Sequence, residues 1–144
     1  MTIDPGRPVQ TWSIHLGEDE SRVLLRDAPI GRLGVIVHGR PEIFPVAHVY
    51  VPPSGGVIFP SRPGTKLEAA FDWPWVAFEV DGLDPDGETA WSVLVVGHAE
   101  ELSDPVEIAH ARDTRRVAWS AGRDVRWIRI VPAKVTGLRI SAVR

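Results

Sequence analysis

Ser61-Arg62-Pro63-Gly64-Thr65-Lys66 is the stretch of this sequence best suited to hold a charged ligand. It lies between a predicted strand and a predicted helix. The first turn of a helix presents unpaired N–H groups and the positive end of the helix dipole, which together suit a phosphate. Arg62 and Lys66 would add two cations, and Ser61 and Thr65 two hydroxyl donors. On the residues alone a second reading stands beside this one. Thr65 caps the helix, Glu68 three residues on completes a capping box, and the two basic side chains are simply solvated. Glu68 also sets a carboxylate close to any anion bound there. The glycine spacing of a Walker loop is missing.

The histidines, at 15, 38, 48, 98 and 110, show neither His-x-x-x-His nor His-Glu-x-x-His spacing, so no metal site is signalled. His48 shares one face of a predicted strand with Phe44, Val46 and Tyr50, by the period of two. It is either a partly buried, hydrogen-bonded histidine or a ligand contact, and it is the one candidate for proton transfer. Tryptophans stand at 12, 73, 75, 91, 119 and 127. Their rings can fill a core, cover an interface or stack on a planar cofactor. Trp91-Ser92 stands apart because it opens a long strand after a turn-rich loop. No Ser/His/Asp arrangement can be assigned, and with no cysteine a thiolate nucleophile, a thiolate zinc site and a disulfide framework are all excluded.

The frame that must position these residues is set by 144 residues, 44% hydrophobic and 24% charged, which fits one folded domain rather than a disordered chain. A net charge of −3 argues against non-specific binding to nucleic acid or to an anionic membrane surface. No apolar run reaches the ~18 residues of a membrane span, and the polar, proline-bearing first ten residues do not resemble a signal peptide. The expectation is a soluble, cytoplasmic, single-domain protein.

Residues 1–17 read as an N-terminal arm and 18–144 as the folded domain. Strands are predicted over Ile30–Val37, Glu42–Val51, Val57–Pro60, Trp75–Val80, Ala90–Glu100 and Val125–Val131, the last continuing through Val135–Ile140 beyond Pro132. Short helices are predicted over Glu18–Ala28, from Thr65 to about Phe71, and from Pro105 towards Arg116. His38-Gly39 and Asp84-Pro85-Asp86-Gly87 read as turns. Strands cluster as hairpins instead of alternating with long helices. The class is therefore mainly β: a six-stranded antiparallel barrel with helical attachments.

In this order, Gly31-Arg32-Leu33-Gly34-Val35, Gly39-Arg40-Pro41-Glu42-Ile43-Phe44-Pro45-Val46, Ile58-Phe59, Gly64-Thr65-Lys66-Leu67, Val76 to Asp81 and Trp91 to Glu100 resemble the pyridoxamine 5′-phosphate oxidase-like flavin-binding split-barrel family. The nearest flavour is its nitroimidazole-resistance-type branch, and the resemblance covers roughly residues 18–140. It implies a homodimeric split barrel with FMN at the subunit interface, and a flavin-dependent oxidoreductase. It also implies that Ser61, Arg62, Thr65 and Lys66 hold the flavin phosphate. The ring would lie against Pro45, Val46, Ala47, His48 and against Phe59 and Pro60. Trp91 and Ser92 would approach from the partner chain. Two departures stand out: Ala47 replaces a residue that is often polar in relatives, and Pro60 removes a backbone donor from the phosphate strand. The resemblance leaves two alternatives on the same fold. One is a reductase using a deazaflavin coenzyme, whose acidic tail would call on Arg32 and Arg40. The other is a dimer that binds a flavin or another ligand without catalysis.

Overall fold

The computed structural model describes residues 10–52, 56–114 and 124–143; the first nine residues of the expected N-terminal arm and Trp119 lie outside them. Eight strands, β1 (Gln10–Leu16), β2 (Gly31–Val37), β3 (Arg40–Val46), β4 (Val49–Val51), β5 (Gly56–Ser61), β6 (Val76–Leu83), β7 (Thr89–Leu102) and β8 (Arg126–Val143), form one antiparallel sheet. Its order is β3-β2-β6-β7-β8-β5-β4, and β1 pairs with the far part of β8. Three helices accompany it: α1 (Glu18–Asp27), α2 (Thr65–Asp72) and α3 (Pro105–Thr114). None of the described helices is long and apolar enough to cross a membrane.

All six predicted strands are present, and the two additional ones have distinct origins. The predicted strand Glu42–Val51 is broken at Ala47-His48 into β3 and β4. The other addition is β1, inside the stretch expected to be a loose arm. Trp12, Ile14 and Leu16 alternate with polar residues there, but all except Leu16 are exposed, so burial does not hold this strand. Its ladder with β8, from Gln10↔Val143 to Leu16↔Gly137, does.

The two ends of the sheet path, β3 and β4, supply side chains to one core. Val46 and Tyr50 join Leu33, Val35, Phe78, Val80, Val93, Val95, Phe59, Ile128 and Ile130 there, and α1 adds Leu25. A sheet whose opposite edges share a core must curl, which makes this a barrel. No ladder joins β3 to β4 across Ala47-His48, which makes it split. β5 is buried along its whole length because α3 covers its outer side, packing Ala111 with Ile58, Leu102 and Trp127.

The local signals are physical. His38 (φ 51°) and Gly39 (φ 76°) form the two-residue turn between β2 and β3, with the positive φ at both positions that a type I′ hairpin demands. Asp86 Oδ1 accepts from the N–H groups of Glu88 and Thr89 at 2.8 and 3.0 Å, closing the turn before β7. At the start of α3, Asp104 Oδ1 accepts the Val106 N–H at 2.9 Å, as its capping pattern predicts. Glu107, three residues after Asp104 and so spaced for a capping box, turns instead to Arg129.

β7 and β8 pair from Thr89↔Ser141 to Leu102↔Trp127 with one irregularity: Val96 opposes Lys134, and Gly97 opposes Pro132. Ala133 is thus an extra residue in β8. This bulge is how β8 runs through Pro132, which cannot donate to a ladder. A Cβ on Gly97 would stand 2.1 Å from the Val131 carbonyl oxygen, so the bulge needs glycine opposite it. Gly34 is different, because a Cβ there meets its nearest neighbour at 3.6 Å. Gly97→Ala should therefore lower stability by about 3 kcal/mol or more, and Gly34→Ala by less than about 1 kcal/mol, read from urea unfolding midpoints.

Candidate functional site

The predicted site residues fall into two groups. The first surrounds the split. The β4–β5 ladder runs from Val51↔Gly56 to Val49↔Ile58 and goes no further. Continued in register it would set His48, Ala47 and Val46 opposite Phe59, Pro60 and Ser61. The chain instead leaves these two segments unladdered on their facing edges, while Phe59, Pro60 and Ser61 still pair with β8 on the other side. Pro60 fits here because no β4 partner lies opposite it to call for an N–H. Val46, Ala47, His48, Phe59, Pro60 and Ser61 are all buried, whereas Pro45 is exposed. Ser61 Oγ donates to the Arg62 carbonyl at 3.2 Å.

β5 leads directly into the loop and α2. The helix starts one residue differently from the capping expectation: Gly64 is the N-cap and Thr65 the first helical residue. The first intrahelical bond runs from the Glu68 N–H to the Gly64 carbonyl at 3.0 Å. Gly64 (φ 154°, ψ −166°) has no side chain to cap with, so no capping box forms. Gly64 thus supplies no side-chain acceptor to the first N–H groups of the helix. Arg62 beside it is exposed, and no carboxylate among the described residues lies within ion-pairing distance of it. Arg32 is committed elsewhere, at 2.8 Å from Asp81 Oδ2 and 3.4 Å from Glu79 Oε1. Arg40 is exposed at the start of β3, beside the β2–β3 turn.

His48 is 8% exposed and packs edge-on against Phe78, ring centroids 4.8 Å apart. Its Nε2 lies 2.8 Å from the Leu25 carbonyl oxygen. A carbonyl only accepts, so Nε2 carries the hydrogen and donates. Nδ1 is then an acceptor, buried with no partner among the described residues. Burial holds the imidazole below its ordinary pKa, against the opposing pull of the Leu25 bond. The ring is neutral at pH 7. Its one donor is committed to α1, which makes it a structural link between the break and that helix.

The second group lies elsewhere. Trp91 is half-buried against the core, its ring so close over Gly82 that a Cβ there would stand 2.7 Å from it. Ser92 is half-buried beside it. The two share a groove of about 360 Å³ with Leu83, Leu138, Ile140 and the carboxylates of Glu79 and Asp81. Ser61 lies opposite Arg126 of β8 and Trp91 opposite Arg139, thirteen positions further along the same strand. That separation is roughly 40 Å of strand path. Within one chain the two groups are held at opposite ends of β8.

Glu79 and Asp81 were not among the residues that the sequence singled out. They alternate on β6 and so share the sheet's outer face, with Arg32 of β2 beside them. The sequence carries the Glu-x-Asp spacing, but only sheet order shows that Arg32 meets it. Burial, followed by the adjacent Asp81 carboxylate, raises Glu79 to about 7, and Arg32 opposes that rise. Among the tryptophans, Trp12, Trp73 and Trp75 are exposed and Trp127 is buried under α3; Trp75 lies over His98, whose ring bonds the Pro74 carbonyl.

The family model described as pyridoxamine 5′-phosphate oxidase matches residues 17–139. An FAD-binding protein from Mycobacterium smegmatis is 32% identical, with a TM-score of 0.75 over 89% of this chain and 98% of that one. An FAD-binding protein from Mesorhizobium loti is 27% identical, with a TM-score of 0.77 over 92% of this chain and 99% of that one. A structure from Bacteroides thetaiotaomicron ascribed to 5-nitroimidazole antibiotic resistance is 15% identical and aligns over 100% of both chains with a TM-score of 0.76, a likeness of fold.

His48 and Glu79 pull stability in opposite directions with pH. His48 is depressed on folding, so the unfolded chain takes up its proton first, and stability falls as pH drops below about 6.5. Glu79 is raised on folding, so the folded chain keeps its proton, and stability falls as pH rises from about 4.5 to about 7. Urea midpoints at pH 5, 6 and 7 should show Glu79→Gln losing more stability on acidification than the wild type, and His48→Gln losing less.

Proposed function

The chain belongs to the pyridoxamine 5′-phosphate oxidase family, and on that premise we propose that it is a flavin-binding oxidoreductase, working as a cytoplasmic homodimer with the flavin at the subunit interface. One observation carries this reading: the unladdered edges at Val46–His48 and Phe59–Ser61 lead straight into an uncapped helix start beside Arg62, which has no ion pair among the described residues. Backbone edges free of sheet bonds thus continue into an anion-binding terminus, which is the sequence of chemistries along a flavin nucleotide from ring edge to phosphate. Thr65 and Lys66 would join Arg62 at the phosphate. Backbone groups of Val46, Ala47 and His48 would meet the ring edge, so the loss of a polar side chain at Ala47 leaves backbone contacts available.

Once bound, the flavin supplies the hydride or electron chemistry. The chain's own part is to bind, orient and exclude water. The two groups of residues meet only if Trp91 and Ser92 of one subunit reach the phosphate loop of the other. The outer face of the sheet supports that assembly. Ile43, Leu94, Leu138 and Ile140 lie on it, Ile43 70% exposed, an apolar surface that suits an isologous interface.

FMN is the cofactor that the sequence resemblance implies. FAD is the second reading, and the two FAD-binding relatives at 32% and 27% identity favour it. Mass analysis of the chromophore released from purified protein separates FMN, FAD and a deazaflavin coenzyme. Tight binding with no turnover of any reductant would leave a binding dimer without catalysis.

Lys66→Ala and Arg62→Ala should each weaken flavin binding by about tenfold or more, as expected for losing one charge-assisted phosphate contact. Unchanged affinity in both would overturn the phosphate assignment. Coexpressed Lys66→Ala and Trp91→Ala chains should form mixed dimers that regain one intact site, hence half the wild-type flavin content. No recovery would show that Trp91 does not act across the interface.

A further inference from the structure

Leu25 is buried at the end of α1, and its carbonyl is the first of that helix without an intrahelical partner. The preceding carbonyl, of Leu24, accepts the Ala28 N–H at 3.1 Å. The donor that would reach the Leu25 carbonyl next along the helix is the N–H of residue 29, and residue 29 is proline. The missing donor comes from a distant part of the chain: His48 Nε2, at 2.8 Å. His48 belongs to the two-residue break that leaves the β3 and β4 edge unladdered. Unladdered backbone between two strands has no sheet bonds to fix it. One side-chain bond to a helix, and one edge-on contact with Phe78, hold it in place.

We propose that His48 is a positioning residue: by donating Nε2–H to the carbonyl that Pro29 leaves unpaired, it locks the open backbone at Val46–His48 to α1 and presets the surface for the flavin ring edge. The link to the ring edge rests on the flavin reading above; the lock itself does not. Its chemistry needs a neutral side chain with one N–H donor at the Nε2 position, which glutamine can supply and leucine cannot. Loss of the donor leaves the Leu25 carbonyl buried and unpaired, so the end of α1 and the break loosen together.

The test compares His48→Gln, His48→Leu and Val95→Ala, the last a truncation in the core of β7, opposite Phe78 and outside both groups of site residues. Val95→Ala serves as the control for general destabilisation. In His48→Leu, amide exchange of residues 46–49 and 26–28 should quicken by about tenfold or more over Val95→Ala, while His48→Gln stays within about threefold of the wild type. Flavin affinity, followed by the visible flavin band well below the melting temperature, should fall about tenfold in His48→Leu and within about threefold in the other two. Exchange in His48→Leu no faster than in Val95→Ala would overturn the lock, whatever the flavin does. Faster exchange at both segments with wild-type flavin affinity would overturn the preset surface. A wild-type protein that binds no flavin would instead defeat the functional reading, and the exchange data would still decide the lock.

Discussion

Everything else in this molecule hangs on the ladder between β7 and β8. Its strands are 14 and 18 residues long. β6 attaches to β7, while β5 and β1 attach to different stretches of β8. Strands of that length cannot stay flat, because twist accumulates along them. The extra residue Ala133 opposite Gly97 takes up the bend and lets β8 continue as one strand. Two consequences follow. The sheet curls until its ends, β3 and β4, line a common core. The same ladder also holds the Ser61 region and the Trp91 region apart, so a site that uses both must be completed by a second copy.

The second constraint is what happens where the curled sheet fails to close. Open strand edges are exposed to unwanted pairing or to loss of order, and this chain manages its open edges in different ways. β3 carries Pro41 and Pro45, and β4 is only three residues long. The gap itself is held by α1, through His48 and the carbonyl that Pro29 cannot satisfy. The other end of α1 is tied to the far part of β8 by Glu20 and Arg139, and packs Ser21 against Gly137. One short helix thus spans from the split to the strand that carries the opposite half of the candidate site.

Much of the fold was legible because its signals are local. The acidic residues Glu18-Asp19-Glu20 in the first turn of α1, the turn at His38-Gly39 and the cap at Asp104 each depend on residues a few positions apart, and each is found where the spacing sets it. The departures have physical reasons. Thr65 is not the cap, because Gly64, at a positive φ that favours glycine, starts the helix one residue earlier. Glu107 serves Arg129 across the sheet and not its own helix. Arg32, a candidate for an acidic coenzyme tail, is held by Glu79 and Asp81 from a strand 47 to 49 residues away.

By itself the sequence determined the class, the six main strands, the three helices and the basic loop at Ser61–Lys66, because propensity, period and capping act within a few residues of chain. The tertiary structure alone decided that Glu42–Val51 breaks at Ala47-His48, that His48 serves α1, and that Trp91 lies at the other end of the sheet from the loop. Those outcomes depend on which strands become neighbours and on where the curled sheet leaves an edge unpaired. Both are settled by packing between residues distant in sequence, as when a proline at 29 leaves a carbonyl that only a histidine at 48 comes close enough to satisfy.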